Sequence, residues 1–88
     1  MKINEGFMLR EVAGNFVVVP VGKASENFRG VINLNEIGAF IWRKIEAGLA
    51  EEEIASALTE EYSVSLEQAK EDVNKFINKL VEAKLASR

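Results

Sequence analysis

An 88-residue chain with 48% hydrophobic and 28% charged residues has ordinary globular composition, which excludes intrinsic disorder and leads us to expect one domain with a single small core over residues 1–88. It contains no cysteine and no histidine, which removes disulfides, thiolate nucleophiles, zinc ribbons and iron–sulfur clusters, together with the commonest general base and metal ligand. The net charge of −3 argues against a nucleic-acid or anionic-membrane partner. With neither a secretory h-region nor a membrane span at the N-terminus, the expected location is the cytoplasm.

The first third of the chain has strand character. Phe7-Met8-Leu9-Arg10-Glu11-Val12 is strand-like, Gly14-Asn15 is a turn signal, and Phe16-Val17-Val18-Val19 is a β-branched run ended by Pro20. The two segments predict a hairpin, and the unbroken apolar run from Phe16 to Val21 predicts the middle strand of a small sheet. After a polar stretch from Gly22 to Asn27, Arg29-Gly30-Val31-Ile32-Asn33-Leu34 places Ile32 and Leu34 on one face and predicts a third, terminal strand.

From Asn35 onward the apolar period is helical, and the punctuation gives three helices. Asn35 is placed to N-cap the first, Ile37, Phe40, Ile41 and Ile45 form its apolar stripe, and Gly48 stops it. Gly38 inside this helix costs stability relative to alanine and so marks a close approach by another helix. The second helix opens on Glu51-Glu52-Glu53, whose carboxylates suit the positive helix end in the absence of a capping side chain at Ala50, and buries Ile54, Ala57, Leu58 and Tyr62. The third starts at Ser65 with Gln68 in capping-box position, carries the stripe Leu66, Ala69, Val73, Phe76, Ile77 and Leu80, and is followed by Leu85.

Three strands of an antiparallel sheet followed by three helices (βββααα), the last two joined by Ser63-Val64, define an α+β domain of winged helix-turn-helix type. In DNA-binding versions the last helix needs basic side chains for phosphates and polar ones for base edges. Here Lys70, Lys75, Lys79 and Lys84 are balanced by Glu67, Glu71, Asp72 and Glu82, and the helix before it has five glutamates and no basic residue. DNA binding is therefore disfavoured. A catalytic centre would have to be assembled from Asp, Glu, Lys, Tyr or Ser with no motif to indicate one, so no enzyme activity and no catalytic, cofactor or metal residue is expected.

The segment Leu34-Asn35-Glu36-Ile37-Gly38-Ala39-Phe40-Ile41-Trp42 resembles the Leu-Asn-x-x-Gly-Ala-x-Ile-Trp signature of the PqqD family. Ile54 to Tyr62 resembles that family's second helix. Asp72-Val73, Phe76-Ile77, Leu80 and Leu85 resemble its third-helix pattern, with Lys84 standing where the family usually has glycine. The resemblance covers about residues 7 to 87. It implies a non-catalytic peptide-binding chaperone, which takes the leader of a ribosomally made precursor peptide as an added strand at the sheet edge and presents it to a radical S-adenosylmethionine-type enzyme, as in pyrroloquinoline quinone biosynthesis. On that reading the expected contacts are Arg29, Gly30, Val31, Ile32 and Asn33 along the edge strand, with one margin of the third helix. The stripe leaves two margins open, Lys70, Asn74, Asn78 and Val81 or Asp72, Lys79 and Ala83, and the first is preferred through Asn74, Asn78 and Val81.

Simpler structural roles compete with these. Asn35 reads first as a helix cap, Trp42 as packing, Asp72 as a residue that orients a neighbouring helix, and Tyr62 and Phe76 as core. Gly30 stands equally for a bulge or for the close approach of another backbone. Two other function classes stay open: a DNA-binding regulator, and an oligomerisation or adaptor module in which the third strand pairs with a second copy to give a homodimer.

Overall fold

The computed structural model describes residues 1–27 and 30–88. Its elements run β1 (Lys2–Ile3), β2 (Phe7–Val12), β3 (Asn15–Pro20), α1 (Ala24–Asn27), β4 (Ile32–Leu34), α2 (Glu36–Glu46), α3 (Glu51–Glu61), α4 (Leu66–Glu82) and β5 (Ala86–Ser87). The expected α+β arrangement is present: β2, β3 and β4 form an antiparallel sheet with β3 in the middle, and α2, α3 and α4 follow. Two features escaped the sequence pattern, the single turn α1 and a separate two-stranded ladder in which β1 pairs antiparallel with β5. Both are too short to carry a period.

The hairpin turns one residue earlier than expected. Val12 pairs with Asn15, so Ala13 and Gly14 are the loop, and both have positive φ, at 52° and 80°. That is the primed geometry that matches the twist of the flanking strands. Leu9, Val18 and Ile32 share a register row on the inner face, and Val18 at its centre is 1% exposed. Met8, Val17, Val19 and Asn33 occupy the outer face.

The third strand is shorter than expected. Gly30 has φ +93°, a left-handed conformation that no extended strand contains, so the strand starts only at Ile32 and both Gly30 and Val31 precede it. Among the described residues, an added Cβ at Gly30 would meet nothing within 4 Å, so the glycine is accounted for by its backbone conformation. Arg29 lies outside the described residues.

The helices close one core. Ile41, Trp42 and Ile45 of α2, Ile54, Ala55 and Leu58 of α3, and Ala69, Val73, Ile77 and Leu80 of α4 are all buried with Val18 and Leu85. Each fully buried Val, Leu or Ile side chain among them contributes about 1.5–3 kcal/mol relative to exposure. Trp42 is fully buried, and its Nε1 finds no hydrogen-bond partner among the described residues. In α3 the buried alanine is Ala55, with Ala57 only half-buried, and Leu66 is 46% exposed at the start of α4. Ile37, Phe40, Tyr62 and Phe76 are half-buried margins of the core, not its centre. The rings of Phe40 and Tyr62 meet edge to face at 5.6 Å. Burial, followed by the nearby Glu36 and Glu61 carboxylates, raises the Tyr62 phenol above its ordinary pKa.

The helix ends follow local chemistry. Asn35 Oδ1 accepts from Gly38 N at 2.7 Å and caps α2. Ser65 Oγ accepts from Gln68 N at 3.1 Å, but the Gln68 amide donates to Asp72 Oδ1 at 2.8 Å instead of reaching back, so α4 has half of the capping box expected for it. At α3 the halves are reversed: Glu53 Oε1 accepts from Ala50 N at 2.9 Å, adding a hydrogen bond to the charge–dipole contact expected there.

Two helices end in the same reversed turn with different residues. After α2, Gly48 has φ +89°, its N–H donates to Ile45 O and that of Leu49 to Lys44 O. After α4, Lys84 has φ +63°, its N–H donates to Val81 O and that of Leu85 to Leu80 O. Both are Schellman motifs, so the chain reversal is kept at Lys84 despite the side chain that makes this conformation costly. The turn seats Leu85 in the core. Asn4 then fastens it from the other end of the chain, with Asn4 N donating to Leu85 O and Asn4 Nδ2 to Lys84 O.

Candidate functional site

Because α2 starts one residue after β4, the edge strand and the start of α2 face the same side of α4. Gly38 makes this approach close: a Cβ there would lie 3.1 Å from Phe76 Cε1. The expectation of a tight contact at Gly38 therefore has a named partner.

Between β4 and α4 the surface opens into a groove of about 400 Å³, whose walls include Ile32, Asn33 and Leu34 on the strand side and Phe76, Lys79, Leu80 and Ala83 on the helix side, with Leu85. A second depression of about 310 Å³ continues from it between α2 and α4, reaching Ile37, Asp72 and Lys75. Asn35, Phe76 and Lys79 belong to both. The walls are of comparable length: Ile32 to Leu34 spans about 6.7 Å and Phe76 to Ala83 about 10 Å. Among the described residues no strand pairs with the outer side of β4, so one edge of the sheet looks across this groove at α4.

The margin of α4 that lines the groove is that of Asp72, Lys79 and Ala83. Asn74, Asn78 and Val81 of the preferred margin do not line this groove, for a simple geometric reason. Asn78 accepts at 2.6 Å from Arg88 Nη2, whose guanidinium also pairs with Glu51 at the start of α3. Asn74 accepts from Asn78 Nδ2 at 3.2 Å and lies beside Glu51 and Glu52. Val81 is half-buried against the core. Of the expected edge residues, Ile32 and Asn33 lie on the groove wall, and Gly30 and Val31 lead into the strand, with Val31 56% exposed.

Leu34, Asn35, Phe76, Leu80 and Leu85 are groove residues absent from the sequence-based contacts, and Lys79 and Ala83 were expected only as the alternative margin. The signal for them was present. A glycine that admits a close helix, one turn after a strand, shows which margin of α4 meets the start of α2, and the strand must lie on that same side.

The groove is amphipathic. Ile32, Leu34, Phe76, Leu80 and Leu85 supply apolar surface and Lys79 a charge. No group of three or more acidic side chains converges as a metal site among the described residues, and among them no helix is long and apolar enough to cross a membrane. Fold and groove together define a winged helix-turn-helix-like domain with an open sheet edge facing its last helix.

The model of the family described as coenzyme PQQ synthesis protein D (PqqD) matches residues 15–86, and the chain belongs to that family. No curated protein sequence matches it. Among solved structures it is similar to TbiB1 in complex with the TbiA(beta) leader peptide, at 26% identity and a TM-score of 0.79, over 97% of this chain and 93% of that one. It is also similar to lasso peptide synthetase B1 complexed with its leader peptide, at 20% identity and a TM-score of 0.81, over 99% and 96% of the two chains. The second likeness speaks for the fold alone.

Proposed function

We propose that this chain is a non-catalytic, single-domain recognition element of the cytoplasm that captures the leader of a ribosomally made precursor peptide and presents it to a modifying enzyme of the radical S-adenosylmethionine type. The observation that carries the reading is the open edge of β4 facing α4 across an amphipathic groove. An extended segment laid there would satisfy strand backbone groups on one side and bury alternate side chains against α4 on the other, which is β-augmentation. The leader-bound state of the TbiB1 neighbour supports the same kind of ligand here. The contacts we assign are Ile32 and Asn33, with Gly30 and Val31 at the entrance, and Phe76, Lys79 and Ala83 on the helix.

DNA binding has less support. Within α4 three lysines stand against four carboxylates, and Lys84 lies beyond its end.

Fluorescence anisotropy with labelled leader segments of candidate precursor peptides, a scrambled peptide and a short DNA duplex tests the proposal. Saturable binding of a leader alone is the expected result. Binding of the duplex with a steep salt dependence, or of the scrambled peptide as well as the leader, overturns it.

A further inference from the structure

Among the described residues, the groove holds one ammonium that no ion pair or side-chain hydrogen bond engages. Along its helical wall the ionisable side chains are Asp72, Lys75 and Lys79. Asp72 accepts from the Gln68 amide and keeps its carboxylate charge at the far end of the second depression, and Lys75 Nζ lies 3.0 Å from Glu71. That contact, first as a hydrogen bond and then as a charge interaction, raises the pKa of Lys75. Lys79 sits where the two depressions join, and among the described residues it makes no ion pair or side-chain hydrogen bond. Around it the surface is apolar, formed by Leu34, Phe76, Leu80 and Leu85. An ammonium at the rim of an apolar groove gains most from a carboxylate brought in by the ligand, because desolvation strengthens their attraction.

We propose that Lys79 is a specificity-determining residue, and that the segment bound in the groove is acidic at the position facing Lys79 and apolar two residues away. The inference rests on the strand-capture reading. Its spacing follows from the two walls. Alternate residues of a strand point the same way and stand about 6.7 Å apart. Lys79 and Ala83 are separated by about 6 Å along α4. A carboxylate over Lys79 thus brings the next side chain on the same face over Ala83 and Leu85. A basic side chain at the first position would meet the like charge of Lys79.

Selection of random dodecapeptides displayed on phage against the full chain and against Lys79→Glu and Lys79→Gln tests this directly. Lys79 is exposed, so the variants should retain the fold, which circular dichroism verifies. The expected result is enrichment of Asp or Glu paired with an apolar residue at i±2 on the natural chain, Lys or Arg at that position on Lys79→Glu, and no charge preference on Lys79→Gln. Peptides selected by the natural chain should bind Lys79→Glu about tenfold more weakly. Identical charge preferences on all three chains would overturn the role of Lys79 while leaving strand capture intact. Failure of every chain to enrich any peptide would count against strand capture itself, and against this inference with it.

Discussion

The two margins of α4 differ in what their polar groups already hold. On one, Asn74, Asn78 and the Arg88–Glu51 pair bind one another and tie the C-terminus to the start of α3, and of its polar groups only the exposed Lys70 makes no ion pair or side-chain hydrogen bond among the described residues. On the other, Lys79 has no such partner among the described residues and faces the open edge of β4 beside Phe76 and Leu80. Side chains satisfied within the fold have little left to offer a ligand, whereas unsatisfied ones beside apolar surface do. Neighbouring residues of one helix thus serve different ends, the first margin holding the domain together and the second remaining available.

The largest test of this contrast removes what the margins share. Ile77 is fully buried beneath both, and Ile77→Ala should cost about 2–5 kcal/mol in urea unfolding, loosening the two sides alike. A loss confined to one margin, seen by amide exchange, would mean that they are not supported by a common core. A smaller change sharpens the contrast. Asn35→Ala removes the cap of α2 and should cost about 1 kcal/mol, with Asn35→Asp restoring most of it. The accompanying amide shifts should appear at Gly38, Phe76 and Lys79 and not at Asn74 or Asn78. The smallest effect has the opposite sign: Lys84→Gly relieves a left-handed lysine at the end of α4 and should stabilise the fold by about 0.5–1 kcal/mol in the same unfolding assay.

Much of this architecture was legible in the sequence because its signals are local. Asn35 and Ser65 are cap residues by chemistry, Gly48 stops a helix by conformation, and the period of Ala69, Val73, Ile77 and Leu80 defines a buried stripe. What could not be read locally were contacts between distant segments. The ladder of Lys2–Ile3 with Ala86–Ser87 joins the chain ends through two residues on each side. The choice between the margins of α4 is likewise tertiary, since the helical period alone treats them as equivalent. Gly30 misled for a different reason: its neighbours have strand character, but its positive φ is a backbone fact that composition does not reveal.

The central claim is that a leader peptide lies between β4 and the Lys79 margin of α4. Titrating the isotope-labelled protein with a bound leader and following its amide resonances tests that most directly. Saturable shifts at Val31 to Leu34, Phe76, Lys79 and Ala83, with Asn74 and Asn78 unmoved, are the predicted result. Shifts centred on Asn74, Asn78 and Arg88, with β4 silent, would contradict it.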